Sequence, residues 1–202
     1  MLMNKLSLFY QKSFLYIFRK RTIEKIISKY YKKFSQQLKN KTILEIGCGS
    51  GYGAKIIKQY FTPKRIIAVD LDTRLINFAK RNVNDSSIIF EVGDASKLKY
   101  ENNKFNAIFD FGAIHHIPNW RNCLKESYRV LNPGGKIFIY DISIVSFSGL
   151  IGCFTRMITL HPYELMYKRQ EFIDFLKKLG FKILDQKLGL AFGRYFIIVA
   201  EK

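Results

Sequence analysis

Between Arg21 and Leu38, apolar residues fall at Ile23, Ile26, Ile27, Tyr30, Tyr31, Phe34 and Leu38, with Lys25, Lys29, Lys32 and Lys33 around them. Intervals of three and four put such residues on one helical face, so an amphipathic helix is predicted here. The residues before it are also compatible with helix: Leu6, Tyr10, Phe14, Ile17 and Phe18 share one side, while Leu8, Phe9 and Tyr16 widen the apolar surface. After Lys41 the pattern changes to short aliphatic runs alternating with helical stretches. TILEI (42–46), RIIAV (65–69), SIIFEV (87–92), FNAIFDF (105–111) and GKIFIYDI (135–142) are the runs. Helices are predicted near Tyr52 to Tyr60, Thr73 to Val83 and Trp120 to Leu131. Continuous apolar strands separated by helices imply a parallel sheet covered on both faces.

The end of the chain departs from that rhythm. A predicted helix from Lys168 to Leu179 stops at Gly180, and FKILDQKL and AFGRYFIIVAEK follow with only a short turn around Gly189 between them. Strands joined so closely pair antiparallel. The expected fold is therefore doubly wound α/β, a mostly parallel seven-stranded sheet ending in an antiparallel hairpin. A basic helical extension over residues 1–40 precedes this domain, which spans 41–202.

The run LEIGCGSGYGA (44–54) places Gly47, Gly49 and Gly51 directly after the first strand. In open parallel sheets ligands bind beyond the carboxyl ends of the strands, where glycine lets backbone approach them. A dinucleotide fingerprint counted from Gly47 meets Tyr52 where glycine is required, yet counted from Gly49 it ends acceptably at Ala54, so the glycines alone leave NAD open. The Gly-Lys-Ser/Thr ending of a phosphate loop is missing. Glu45, just inside the turn, would repel a pyrophosphate but suits a ligand ammonium or sulfonium. Asp70 ends the second strand, where a carboxylate reaches ribose hydroxyls. Asp72 or Thr73 is better suited to cap the next helix. Asp94, after the third strand, is placed to accept from an adenine amine.

Taken in order, LEIGCGSG, AVDLD, VGDASKL, FDFGAIHHIPNW and RVLNPGGKIFIYD resemble the class I S-adenosylmethionine-dependent methyltransferases, and among them the small-molecule group that includes the quinone-biosynthesis C-methyltransferases. The resemblance covers about residues 40 to 202. It implies S-adenosyl-L-methionine as cofactor, with Gly47, Gly49 and Gly51 around its methionine portion and Glu45 near its ammonium group. It further implies Asp70 on the ribose, Leu71 packed on adenine, and Asp94 with Ala95 at the adenine edge. Asp110, which ends the fourth strand, is expected in the same cofactor set.

The segment after Asp110 lies over the reacting methyl group by the rule for open sheets. His115 and His116 there are candidate bases for a hydroxyl, phenol or ammonium acceptor, and either could equally be a packed or locally bonded histidine. Methyl transfer is an in-line displacement that alignment alone promotes, so a dedicated base is optional. Asn119 reads as a helix cap and residues 132–135 as a turn into the fifth strand. Tyr140 and Asp141 at the end of that strand, with His161 and Tyr163 in the connection after it, are candidates to line the acceptor pocket, the tyrosine at the strand end being equally a packing residue. The apolar run 142–160 carries one charge, Arg156, and reads as a lid over a hydrophobic acceptor.

Charge adds the question of partners. Of the formal net charge of +18 in 202 residues, residues 1–41 supply eleven Lys/Arg against the single acid Glu24. Such a segment is attracted to an anionic membrane surface or to nucleic acid, or else residues 21–38 cover the sheet edge while their lysines are solvated. The residues that would methylate a nucleic-acid base are missing, since DFGA stands where an Asn/Asp-Pro-Pro-aromatic run is needed and no cysteine follows a proline. RNA methylation remains the alternative to a small-molecule or lipid-like acceptor, and a non-catalytic cofactor-binding module is a third reading. The N-terminus is too polar to span a bilayer and lacks a cleavage site. Three cysteines without metal-ligand spacing suggest neither disulfides nor a metal. A cytoplasmic protein, peripheral at the inner face of the membrane, is the expectation.

Overall fold

The computed structural model of the chain describes residues 21–147, 163–189 and 195–202. The aliphatic runs become β1 (Thr42–Ile46), β2 (Arg65–Asp70), β3 (Ile88–Val92), β4 (Phe105–Phe111) and β5 (Leu131–Asp141), followed by β6 (Lys182–Leu188) and β7 (Phe196–Glu201). These strands form one sheet in the order β3-β2-β1-β4-β5-β7-β6. β1 to β5 pair in parallel, whereas β7 runs antiparallel to both β5 and β6. The helices α1 (Tyr52–Phe61), α2 (Thr73–Asn82), α3 (Trp120–Val130) and α4 (Arg169–Lys178) lie within two residues of the predicted bounds.

A sheet apolar on both sides needs cover on both. One face is buried under α1, α2 and the N-terminal helical segment, through Ile57, Phe61, Ile76, Ile27, Tyr31 and Phe34. The other lies under α3 and α4, through Trp120, Leu124, Phe172 and Leu176. Phe109 of β4 and Phe138 of β5 stack with ring centroids 4.5 Å apart. Tyr31 meets Phe138 edge-on at 5.1 Å, and its hydroxyl donates to the Ile139 carbonyl at 2.9 Å. The described part of the N-terminal extension thus packs into the same core as the sheet.

Two elements differ from the regular forms predicted. Residues 21–38 are helical throughout but not uniform: an α-helical start gives way to a π turn at Ile27–Tyr31, a 3-10 turn at Lys32–Phe34, and α-helix again at Ser35–Leu38. The Lys32 N–H bonds back to the Ile27 carbonyl, five residues away. Apolar periodicity reports which face is buried and is blind to a locally widened turn. In β5, the strand begins at Leu131, ahead of the predicted turn. Leu131 pairs with Phe105 and Lys136 with Ala107, so residues 132–135 bulge out between them. The bulge is satisfied by the far end of the chain, with Gly134 N–H donating to the Lys202 carbonyl and Lys202 N–H to that of Gly135, both at 2.9 Å.

Candidate active site

β1 and β4 are neighbours, yet the chain leaves β1 for β2 and β3 on one side while β5 lies on the other, which opens a crevice at their carboxyl ends. The glycine turn lines it. Gly47 has φ +64°, and a Cβ there would lie 2.1 Å from the Ala113 Cβ in the loop after β4, so the two loops touch. Gly53, in the first turn of α1, has no space for a side chain either: its Cβ would sit 1.9 Å from Glu45 Oε1. The Glu45 carboxylate is 2% exposed. Gly53 went unassigned in the sequence, though a glycine in a helix, where alanine is favoured, was the available signal.

Asp70 ties this turn to β2. Its Oδ2 accepts the Gly49 N–H at 2.8 Å and its Oδ1 the Asp72 N–H at 2.9 Å. Asp72 caps α2 as expected, accepting from the Arg74 N–H at 2.9 Å. The Arg74 guanidinium, 2.6 Å from Asp72 Oδ2, holds that carboxyl below the usual carboxylate range. Leu71, which follows Asp70, is 51% exposed, and Val92, paired with Asp70 across β2 and β3, is 45% exposed. Asp94 is exposed and closes its own turn, accepting from the Ser96 N–H and hydroxyl at 2.8 and 2.7 Å, while Ala95 is buried in the core.

On the other side of the crevice the expectations need revision. Asp110, expected among the cofactor residues, is fully enclosed. It ends a central strand covered by the following loop, and its Oδ1 accepts the Ala113 and Ile114 N–H groups at 2.8 and 3.2 Å. Among the described residues its Oδ2 has no hydrogen-bond partner. Burial, and the charge of Asp141 beside it, hold the Asp110 carboxyl well above the usual range. The folded chain then retains a proton that the unfolded chain releases near pH 4, so this group lowers stability as pH rises from there toward its folded value. Asp110→Asn, neutral throughout, is expected to flatten that decline. Thermal melts should show the wild-type Tm falling more steeply than the variant's from about pH 4 upward, with the variant's Tm the higher of the two at pH 7.

Asp141, the strand-end acid that the sequence places at the ligand edge, gathers the histidine of the fourth-strand loop and a tyrosine from the segment before α4. It is fully buried. Its Oδ1 bonds His115 Nδ1 and accepts the Ile142 N–H at 2.7 Å. Its Oδ2 accepts the His115 N–H at 3.0 Å and the Tyr167 hydroxyl at 2.7 Å. His115 is buried, and the exposed His116 lies against it with ring centroids 4.0 Å apart. Tyr140 points to the opposite face of the sheet, half-buried against Tyr195 at 5.0 Å, and is not brought together with the histidines. Tyr163 is half-buried in a short 3-10 turn at Tyr163–Leu165. His161, most of the apolar run 142–160 and residues 1–20 lie outside the described residues. No signal in the sequence joins Asp141 to Tyr167, 26 positions away.

A family described as a methyltransferase domain matches residues 44–139, from β1 into β5. A fatty-acid O-methyltransferase of Mycolicibacterium smegmatis is 36% identical over 103 residues, covering 51% of this chain and 37% of that protein. A sterol 24-C-methyltransferase of Kluyveromyces lactis is 31% identical over 157 residues, 73% of this chain and 42% of that one. Residues 44–139 belong to the methyltransferase-domain family, and the fold is that of the S-adenosylmethionine-dependent methyltransferases. This methyltransferase spans only 37% and 42% of the two relatives' lengths. Its fold matches an S-adenosylmethionine-dependent methyltransferase from Mesorhizobium loti with a TM-score of 0.68 at 14% identity, over 82% of this chain and 92% of that one. The cofactor of the family is S-adenosylmethionine. The crevice of this methyltransferase fits it, because a buried carboxylate, Glu45, backs a turn that leaves no space for a Cβ at Gly47 or Gly53.

Proposed function

We propose that this methyltransferase methylates a small, lipid-like acceptor met at an anionic membrane surface. The observation that carries the cofactor side is the buried Glu45 carboxylate behind a glycine turn anchored by Asp70. In this reading Gly47, Gly49 and Gly51 hold the methionine portion, with Glu45 toward its ammonium group. Asp70 takes the ribose, while Leu71, Asp94 and Ala95 border the adenine. When bound, the sulfonium supplies an electrophilic methyl group: the acceptor atom bonds the carbon as the carbon–sulfur bond breaks, its electron pair passing to sulfur. The chain's task is then to align the acceptor and exclude water. His115, His116, Tyr163 and His161 are proposed for the acceptor side, while Tyr140, on the opposite face of the sheet, is left out.

The lipid-like acceptor is supported by relatives named for fatty-acid and sterol methylation. Membrane contact is supported by Lys25, Lys29, Lys32, Lys39 and Lys41, all exposed. Each basic residue near an anionic bilayer contributes about 1 kcal/mol. Among the described residues, no helix is long and apolar enough to cross a membrane.

Calorimetry with S-adenosylmethionine, followed by transfer of its labelled methyl group to lipid on anionic vesicles, to water-soluble metabolites and to RNA, tests both halves. Binding is expected, with label entering the lipid fraction and falling as salt rises. Label in RNA would replace the acceptor assignment, and the lack of any heat would remove the cofactor reading.

A further inference from the structure

We infer that Asp141 and Tyr167 are positioning residues that make the His115 imidazole a general base, and that the acceptor atom is the hydroxyl oxygen of an alcohol or phenol. The inference rests on the methyltransferase reading and deepens it.

The geometry is that of a fully occupied carboxylate. Asp141 receives the His115 ring, the His115 and Ile142 N–H groups and the Tyr167 hydroxyl, which together use the four lone-pair directions a carboxylate offers. His115 is gripped twice by one side chain, through its backbone and through Nδ1. This fixes the ring plane and the tautomer: Nδ1 carries the hydrogen shared with Asp141, and Nε2 presents its lone pair. Tyr167 remains a donor because burial and the Asp141 charge push its phenol well above the usual value. Its ring is wedged between Trp120 at 5.1 Å and Phe172 at 4.5 Å, so the hydroxyl has one direction to point. A phenylalanine would fill the same space. Core packing therefore gives no reason for the hydroxyl, whereas orienting Asp141 does.

The loop that carries His115 also carries Ala113, which touches Gly47 of the cofactor turn. The base thus belongs to the loop that borders the cradle. A carboxylate acceptor is already a nucleophile and has no proton to give. A cationic acceptor needs a carboxylate with capacity to receive it, and Asp141 is already met by four donors while Asp110 is enclosed. A hydroxyl needs what His115 supplies. As the acceptor oxygen attacks, its O–H bond breaks, the proton passes to Nε2, and the freed electron pair completes the bond to carbon. The imidazolium so formed is stabilised by Asp141 and returns its proton to water.

The test begins on the full chain without cofactor. With nitrogen-15 histidine labelling, proton NMR is expected to show a far-downfield Nδ1 proton assigned to His115, lost in Asp141→Asn. With labelled S-adenosylmethionine and long-chain alcohols, phenols and fatty acids as probes, His115→Ala and Asp141→Asn should lower turnover about 10²–10⁴-fold. Tyr167→Phe should lower it roughly tenfold, about the worth of one hydrogen bond. Cofactor affinity should stay within about threefold in each variant, and the alcohols or phenols should be methylated in preference to the acids. If Asp141→Asn does not fold, the wild-type proton signal and Tyr167→Phe decide. A missing downfield signal, full turnover in His115→Ala with cofactor bound, or methylation of fatty acids alone would each overturn the inference and leave the methyltransferase reading standing. Wild-type protein that fails to bind the cofactor would overturn both.

Discussion

Gly47→Ala is expected to abolish cofactor binding, lowering affinity by more than about a hundredfold, and to destabilise the fold measurably. Two costs combine. At φ +64° an alanine occupies the left-handed region, which costs roughly 1–2 kcal/mol for a residue with a Cβ. That Cβ would also stand 2.1 Å from the Ala113 Cβ, a distance no pair of carbons tolerates, so the loop after β1 and the loop after β4 must move apart. Because β1 and β4 are paired from Ile43↔Ala107 to Ile46↔Asp110, the strands cannot absorb the shift, and the loops carry it. The double variant Gly47→Ala with Ala113→Gly separates the two costs. It relieves the contact but not the backbone strain, so partial recovery of binding in calorimetry is expected, and no recovery at all would show that the loop contact is not what limits the site.

Phe138→Ala is expected to destabilise the protein by about 3–5 kcal/mol, the usual cost of emptying a fully buried phenylalanine site. Phe138 is fully buried, stacks on Phe109, and receives the edges of Tyr31 and Phe34 from the N-terminal helical segment. The cavity would open where that segment meets the sheet. Denaturant unfolding should therefore show a lowered midpoint, and hydrogen exchange should show residues 27–34 losing protection before β4 and β5 do. Uniform loss across the sheet would mean that the segment is not held chiefly by this ring cluster.

β1, β2, β4 and β7 were legible in the sequence because each is a run of apolar residues buried on both faces, a pattern that surface helices do not produce, whereas the mostly exposed β6 was read from the short turn that joins it to the last strand. Glu45, the glycine turn and Asp72 were legible for a similar reason: their chemistry is local, set by residues within a few positions. What escaped was non-local. Asp141 was legible as an acid at the ligand edge, but its partners were not, since only folding brings it under His115 from one side and Tyr167 from the other. Asp110 was placed at the crevice by its position on β4, but a central strand's end can be roofed by its own loop, which the sequence does not state. The N-terminal segment showed its buried face correctly and hid its π turn, since spacing averages over turns. Tyr140 alternates out of the site by the twofold repeat of a strand, putting it on the face opposite Asp141.

The strand order divides labour along the sheet. The loops after β1, β2 and β3 lie on one flank of the crevice, and the loop after β4 with the connections around β5, β6 and β7 lies on the other. Asp70 and Glu45 belong to the first flank, His115, Asp141 and Tyr167 to the second, and the Gly47–Ala113 contact is the seam between them. Such a plan lets lineages diversify what is modified without disturbing the donor half. It also marks Asp141 at the end of β5 and Tyr167 ahead of α4 as a pair that any exchange of the second flank between homologues must carry together.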